Sequence, residues 1–508
     1  MKKLILSVVT ALVLLPAFVI TAPVTLPQNI AAGLKNAKTA EPFVASTFST
    51  NQKVGNPKDA PLDLYVISDT HITADAAHVD GQIDFANTEA VAKAAFDKII
   101  KDDSIQNVLL TGDLTTYGDR ESCDRLVTLL ETLEAAGKKV YPYPAGHDYD
   151  YNPTDTTLSR SEAMATYRAF AERTGNVIAE SPFDDGNSYV VQIAEGYRML
   201  MLTTDSLFYN GYKQEELDWV LRQIRDARES GNYIFSTQHY PVLLPSPLYP
   251  YFGSNDWKAS SYEFTDPMVD AGLEFVFCGH SHVQSVVEHK TEKGNTLYQV
   301  TTAPLAGSPG LFRKVRFSYD SVKIESVDLT AEELKAVGIE TGGKNSTEFM
   351  RENFAGLITG AVHYAATDME KFAEVSGELG LGLSAEDLNN DEALRLLLNI
   401  AGKLLDRMKI KTLKNLLLIP GKIDEDFAER YVKDFAAELV TGVSYGNMNY
   451  KPGTEEYLFI ATLIERVRPI INLIDDSGET ITLVERIADG LLYKEGLDDW
   501  NLILPRLN

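Results

Sequence analysis

Leu62-Asp63-Leu64-Tyr65-Val66-Ile67 runs directly into Ser68-Asp69-Thr70-His71. The apolar run reads as a strand, and its polar end places a carboxylate and an imidazole just beyond it. Residues 87–101 follow, with Val91, Ala94, Ala95 and Ile99 at helical spacing. Residues 107–110 read as the next strand and lead to Gly112-Asp113. Residues 125–136 read as a helix, and 139–143 as a strand running into Ala145-Gly146-His147-Asp148. This repeated strand–helix alternation predicts a layered α/β architecture.

The pattern continues with helices over 161–174 and 214–228. Strands are predicted over 188–193, 198–203, 233–236, 274–278 and 298–302. A hairpin, 314–319 with 322–327, closes the region around Asp320-Ser321. Residues 241–257 carry many Pro, Tyr and Phe residues and no period, which leaves a lid or specificity loop and a packed surface loop equally open. After Leu329 the texture changes. Thr330-Ala331-Glu332-Glu333 and Ser384-Ala385-Glu386-Asp387 have the form of capped helix starts. Amphipathic stretches cover 349–366, 392–408, 425–439 and 455–473, so 329–508 reads as an all-α C-terminal domain.

The chain has 508 residues, 44% of them hydrophobic, enough for more than one domain. Its formal net charge of −26 argues against a nucleic-acid duplex as partner. A small phosphorylated substrate stays compatible, because a bound metal reverses the field locally. Lys2, Lys3 and the apolar run 4–20 predict a signal peptide or a retained N-terminal anchor over 1–22. Residues 23–59 read as an exposed linker. The expected location is secreted or in the cell envelope, with a membrane or cell-surface tether through the N-terminus left open. Only Cys123 and Cys278 are present, so no disulfide framework is expected.

Five of the eight histidines fall in one ordered motif set: Asp69-Thr70-His71, Gly112-Asp113, Gly146-His147-Asp148, His239 and Gly279-His280-Ser281-His282. Carboxylates mixed with imidazoles are a ligand set for divalent transition metals. Asp69 and His71, like His280 and His282, stand two apart, and in an extended segment such residues point the same way. Singly, each motif is a common chance pattern; their order after strands is the signal. His78, His289 and His363 lie outside the set and read as surface or satisfied core residues. The Gly-x-x-x-x-Gly-Lys spacing at 338–344 lacks the following Ser or Thr and reads as chance.

In these motifs the chain resembles the calcineurin-like metallophosphoesterases, over about residues 60–328 and not over the helical tail. The resemblance implies a four-layer αββα sandwich with metals at the strand ends between the sheets. It also implies two divalent ions of iron, zinc or manganese. Asp69, His71 and His282 would hold the first, Asp113 would bridge both, and His239 and His280 would hold the second. His147 would sit beside the phosphate and assist the leaving group, with Asp148 orienting its neighbours. The implied reaction is hydrolysis of a phosphate mono- or diester by attack of a metal-bound hydroxide. One position departs from the family pattern: Gly146 stands where an Asn ligates the second metal. That leaves open a weaker second site, an extra water, or a ligand borrowed from Asp150, Asn152 or Asn255. The rival reading is a non-catalytic exported binding protein on the same scaffold.

Overall fold

In the computed structural model the described residues are 60–75, 81–149, 153–203, 214–248, 261–379, 388, 392–448, 450–474, 479–494 and 496–506. The predicted signal and linker segments, His78, Asp150, Asn152, the 384–387 helix start and all of 249–260, with Asn255, lie outside them.

The first half alternates as the sequence predicts: β1 (Leu62–Ile67), α1 (Thr88–Lys101), β2 (Asn107–Leu110), α2 (Arg120–Ala135), β3 (Lys139–Pro142) and α3 (Arg160–Arg173). Then come β4 (Val177–Glu180), β5 (Tyr189–Ala194), β6 (Tyr197–Met201), α4 (Gln214–Glu229), β7 (Tyr233–Thr237), α5 (Ser261–Asp270) and β8 (Phe275–Cys278). β9 (Ser285–Lys290), β10 (Thr296–Thr301), β11 (Phe312–Phe317) and β12 (Ser321–Val327) complete this half. Helix α2 starts five residues earlier than expected because Asp119 caps it, accepting from Ser122 N.

Two mixed sheets face each other. One has the order β13-β12-β11-β1-β2-β3 and the other β4-β5-β6-β7-β8-β10-β9. Both faces of each sheet are covered, which explains the near-continuous apolar strands. On β1, Leu64 and Val66 point between the sheets, where they join Leu109, Tyr141, Phe235, Phe277 and Phe317. Tyr65 and Ile67 point outward to Val91, Phe96, Leu126 and Leu130 of α1 and α2. Leu217, Val220 and Ile224 of α4 cover the outer face of the second sheet, against Ile234 and Val276. The layers therefore run α, β, β, α. Cys123 and Cys278 are both free and buried.

Parallel pairing sets where the motifs emerge. Ile67 pairs with Leu110 and Leu110 with Pro142, so β1, β2 and β3 end at one level. Thr237 pairs with Phe277 in the second sheet, bringing the segments after β7 and β8 out together. Side chains that follow parallel strands thus collect at the carboxyl ends of those strands.

Beyond residue 330 the chain is mainly helical: α6 (Ala331–Ala336), α7 (Ser346–Thr367), α8 (Met369–Glu378), α9 (Glu392–Leu405), α10 (Ile410–Leu416), α11 (Glu425–Glu429), α12 (Val432–Tyr445), α13 (Glu455–Ile474) and α14 (Glu479–Leu492). The Thr330 capping box forms, with Glu333 N and Thr330 N each bonded to the other's side chain. Two expectations change. The single helix read over 425–439 is split between α11 and α12, because Arg430 and Val432 exchange backbone bonds with Ile410 and Met408. The region is also not wholly helical. Its end forms β13 (Asn501–Pro505), which pairs antiparallel with β12 and joins the first sheet at its edge. Pro505 fits there because an edge strand can spare an N–H.

Candidate metal centre

The motif side chains meet where the strand ends meet. Candidate ligand atoms of Asp69, His71 and His282 all lie within 4.8 Å of one another, and so do those of Asp113, His239 and His280. The two groups are the two sets that the motifs imply for two ions. His71 Nε2 faces His282 Nε2 at 3.2 Å. His282 Nε2 lies 3.4 Å from Asp69 Oδ1, and His239 Nε2 lies 2.8 Å from Asp113 Oδ2.

The backbone reaches this geometry in a way the strand argument did not foresee. Asp69, His71, Asp113, His280 and His282 all have positive φ, between 45° and 64°. None of the four spaced residues is extended; each pair sits in a turn past its strand, β1 ending at Ile67 and β8 at Cys278. Left-handed backbone is uncommon outside glycine and gathers at functional sites. Here it turns consecutive carboxylates and imidazoles back toward one point. Two glycines permit the approach. Gly112 has φ of +104°, and a Cβ there would come within 2.5 Å of His239 Nδ1. A Cβ on Gly279 would overlap Ser68 Oγ and Asp69 Oδ2.

Neighbouring groups orient the ligands. His239 Nδ1 donates to Thr111 O at 2.9 Å, which turns Nε2 toward Asp113. Asp69 accepts from His280 N at 3.2 and 3.1 Å and from the Ser68 hydroxyl. His147 Nδ1 donates to Thr116 O at 2.8 Å, and its backbone N–H donates to Asp113 Oδ1 at 3.2 Å. Its ring stands 4.9 Å from that of His71. Asp148 is buried. It accepts from Leu114 N, Thr115 N, Thr115 Oγ1 and Ala145 N, and so fixes the turn that carries His147. Tyr240 lies against His280, ring to ring at 4.3 Å.

The charges of the site favour a cation. Burial pushes the Asp113 carboxyl up, but the imidazoles of His239 and His147 more than reverse that and hold it well below the usual range. Burial drives the His71 imidazole well below its ordinary value, which keeps it neutral. Burial also lowers His239, yet the Asp113 carboxylate outweighs it and lifts the imidazole to about 9. Burial and the charge of Asp113 raise Asp148 to about 6. The ring nitrogens that face the groups are His239 Nε2, 2.8 Å from the Asp113 carboxylate, and His71 Nε2, 3.2 Å from His282 Nε2. Buried carboxylates and imidazoles converging in this way are a donor set that suits a divalent ion.

Gly146 begins the short turn Gly146–Asp148 and is buried, and it offers no ligand. Among the described residues the second group has Asp113, His239 and His280, three ligands. His289 pairs with Asp266 at 2.7 Å and His363 with Asp406 at 3.2 Å, so both are satisfied away from the site. Sequence reasoning missed the backbone carbonyls of Thr111 and Thr116 and the side chains of Ser68 and Tyr240. Carbonyl contacts leave no mark on residue type.

Residues 62–284 match the family described as calcineurin-like phosphoesterase. No curated protein matches the chain. Among solved structures, a dimetal phosphatase from Danio rerio is 13% identical with a TM-score of 0.41, over 52% of this chain and 95% of that one. A purple acid phosphatase from yellow lupin (Lupinus luteus) seeds is 13% identical with a TM-score of 0.37, over 54% of this chain and 52% of that one.

Proposed function

Residues 62–284 form a calcineurin-like metallophosphoesterase domain, a hydrolase of phosphoester bonds, and from that premise we propose that this is an exported enzyme acting on a small phosphate mono- or diester. The observation that carries the reading is the convergence of Asp69, His71 and His282 beside Asp113, His239 and His280. Two divalent ions held there supply Lewis-acid stabilisation of the phosphoryl group and activation of the attacking water.

The chain's own residues do the rest. Asp113, whose carboxylate faces His239 Nε2 and accepts from His147 N, would bridge the two ions as the resemblance implies. The Thr116 carbonyl can only accept, so it fixes the proton of His147 on Nδ1 and commits Nε2 to the proton traffic of the leaving oxygen. Asp148 holds that imidazole in place through the turn. Export rests on Lys2, Lys3 and the apolar run 4–20. A non-catalytic binding role draws on Gly146 together with the large helical region, and turnover separates the two readings.

The test is hydrolysis of a chromogenic phosphomonoester and phosphodiester by metal-free protein, with and without added manganese, zinc or iron. Metal-dependent turnover is expected, and His147→Ala should lower kcat by about 10²–10⁴ with bound metal unchanged. A folded protein that binds two ions and turns over neither ester would overturn the proposal.

A further inference from the structure

We propose that the C-terminal helical region is part of the metal centre, and that Gln82 and Gly446 are positioning residues for His282. The proposal rests on reading the site as a metal centre.

His282 lies in the turn after β8 with φ of 54°, a conformation that its neighbours must hold. Gln82 holds it from one side: its Nε2 donates to His282 O at 2.8 Å and to Ser308 O at 2.9 Å. The helical region holds it from the other. Ser444, in the last turn of α12, accepts at its carbonyl from Gln284 N at 2.8 Å, two residues beyond His282. The Ser444 hydroxyl lies 3.3 Å from that of Ser308, the residue that Gln82 also binds. Asp499, near β13, accepts from Val286 N at 2.7 Å and from Asn447 N at 2.7 Å. The N–H groups of Gln284 and Val286 are thus both tied to residues more than 150 positions away.

Gly446 is where the two regions come closest. Its φ is +68°, and a Cβ there would overlap Gln284 O and come within 2.7 Å of Asp499 Cβ. Gln284 cannot yield freely. It is fully buried, its Nε2 donates to Ser326 Oγ at 2.8 Å and its Oε1 accepts from Ala303 N at 3.0 Å. A push at Gly446 therefore travels along the backbone toward His282. Gln82, Ser308, Ser444 and Gly446 form one frame around the turn. None of them touches an ion, and all of them set where His282 points, as groups that orient a metal ligand do.

The test is titration of the metal-free protein with Mn²⁺, counting ions bound per chain and the affinity of each. Gln82→Leu removes both donations at similar volume, and Gly446→Ala forces Gln284 aside. Each should weaken one of the two ions by about 10–100-fold, leave the other unchanged, and recover turnover at saturating Mn²⁺. Variants that are folded, by circular dichroism, and bind both ions as the wild type does would overturn the proposal. Should Gly446→Ala fail to fold, Gln82→Leu decides alone. Wild-type protein that binds no Mn²⁺, Zn²⁺ or Fe²⁺ would overturn the metal-centre reading itself, an outcome distinct from the first.

Discussion

A single methyl group is too large beside two of the ligands. Gly279 faces Asp69 so closely that a Cβ would occupy the space of its Oδ2 and of Ser68 Oγ. Gly279→Ala should therefore displace Asp69, lower metal affinity by 10-fold or more, and leave the fold intact. Metal content after dialysis against a limiting ion measures it; unchanged occupancy would contradict the close approach. His239 makes a second prediction at this scale. Its imidazole, lifted to about 9, carries a proton at neutral pH in the metal-free protein. A metal ion takes the neutral ring, so binding must displace that proton. Affinity should rise with pH, about 10-fold per unit up to pH 9, and then level off. Calorimetry in buffers of different ionisation enthalpy should show a proton released at pH 7.5, and no release would count against it.

At the scale of elements, the sequence carried what side-chain chemistry and periodicity can carry. β1 was legible as a short apolar run that ends in polar residues, and α1 by apolar residues at a spacing of 3.6. The six ligand candidates were legible because Asp and His are rare in such an order. The left-handed backbone of five of them was not, since the residue type alone does not fix a positive φ. β13 was missed for another reason. Its residues, Asn501-Leu502-Ile503-Leu504-Pro505, are few, end in proline, and pair with a strand about 180 positions upstream. What anchors β13 is a buried ion cluster invisible to pattern. Lys494 Nζ bonds Asp499 Oδ1 at 2.5 Å, and the fully buried Arg313 donates to Asp499 O at 2.9 Å. Burial lowers the Lys494 pKa, so the amine depends on its partner. Asp499→Ala leaves Lys494 without that carboxylate and strips the acceptors from Val286 N and Asn447 N. A loss of about 3–5 kcal/mol is expected in urea unfolding; a loss below about 1 kcal/mol would show that the cluster does not hold the strand.

For the whole molecule, the tail and the sandwich share apolar cores as well as a sheet. Leu334, Ile339 and Met350 pack with α1 and α2 of the sandwich. In the other direction, Leu248, nine residues past His239, is fully buried in the core of the helical region. It lies so close to α14 that a Cβ on Gly490 would come within 2.6 Å of its Cδ2. The described half of the loop after His239 is therefore a packed tether into the helices. Cutting the chain after residue 329 would remove β13 and expose Leu248. It would also leave Arg313 without its Asp499 acceptor. The loss of the Asp499 contacts alone, about 3–5 kcal/mol, lowers the melting temperature by about 6–20 °C in a domain of this size. A chain of residues 60–329 should melt at least that much lower than one of residues 60–508, or aggregate through the bared edge of β12. Calorimetry of the two at equal concentration and saturating Mn²⁺ decides. Equal melting temperatures and equal metal content would mean that the sandwich stands alone and that the shared cores are incidental.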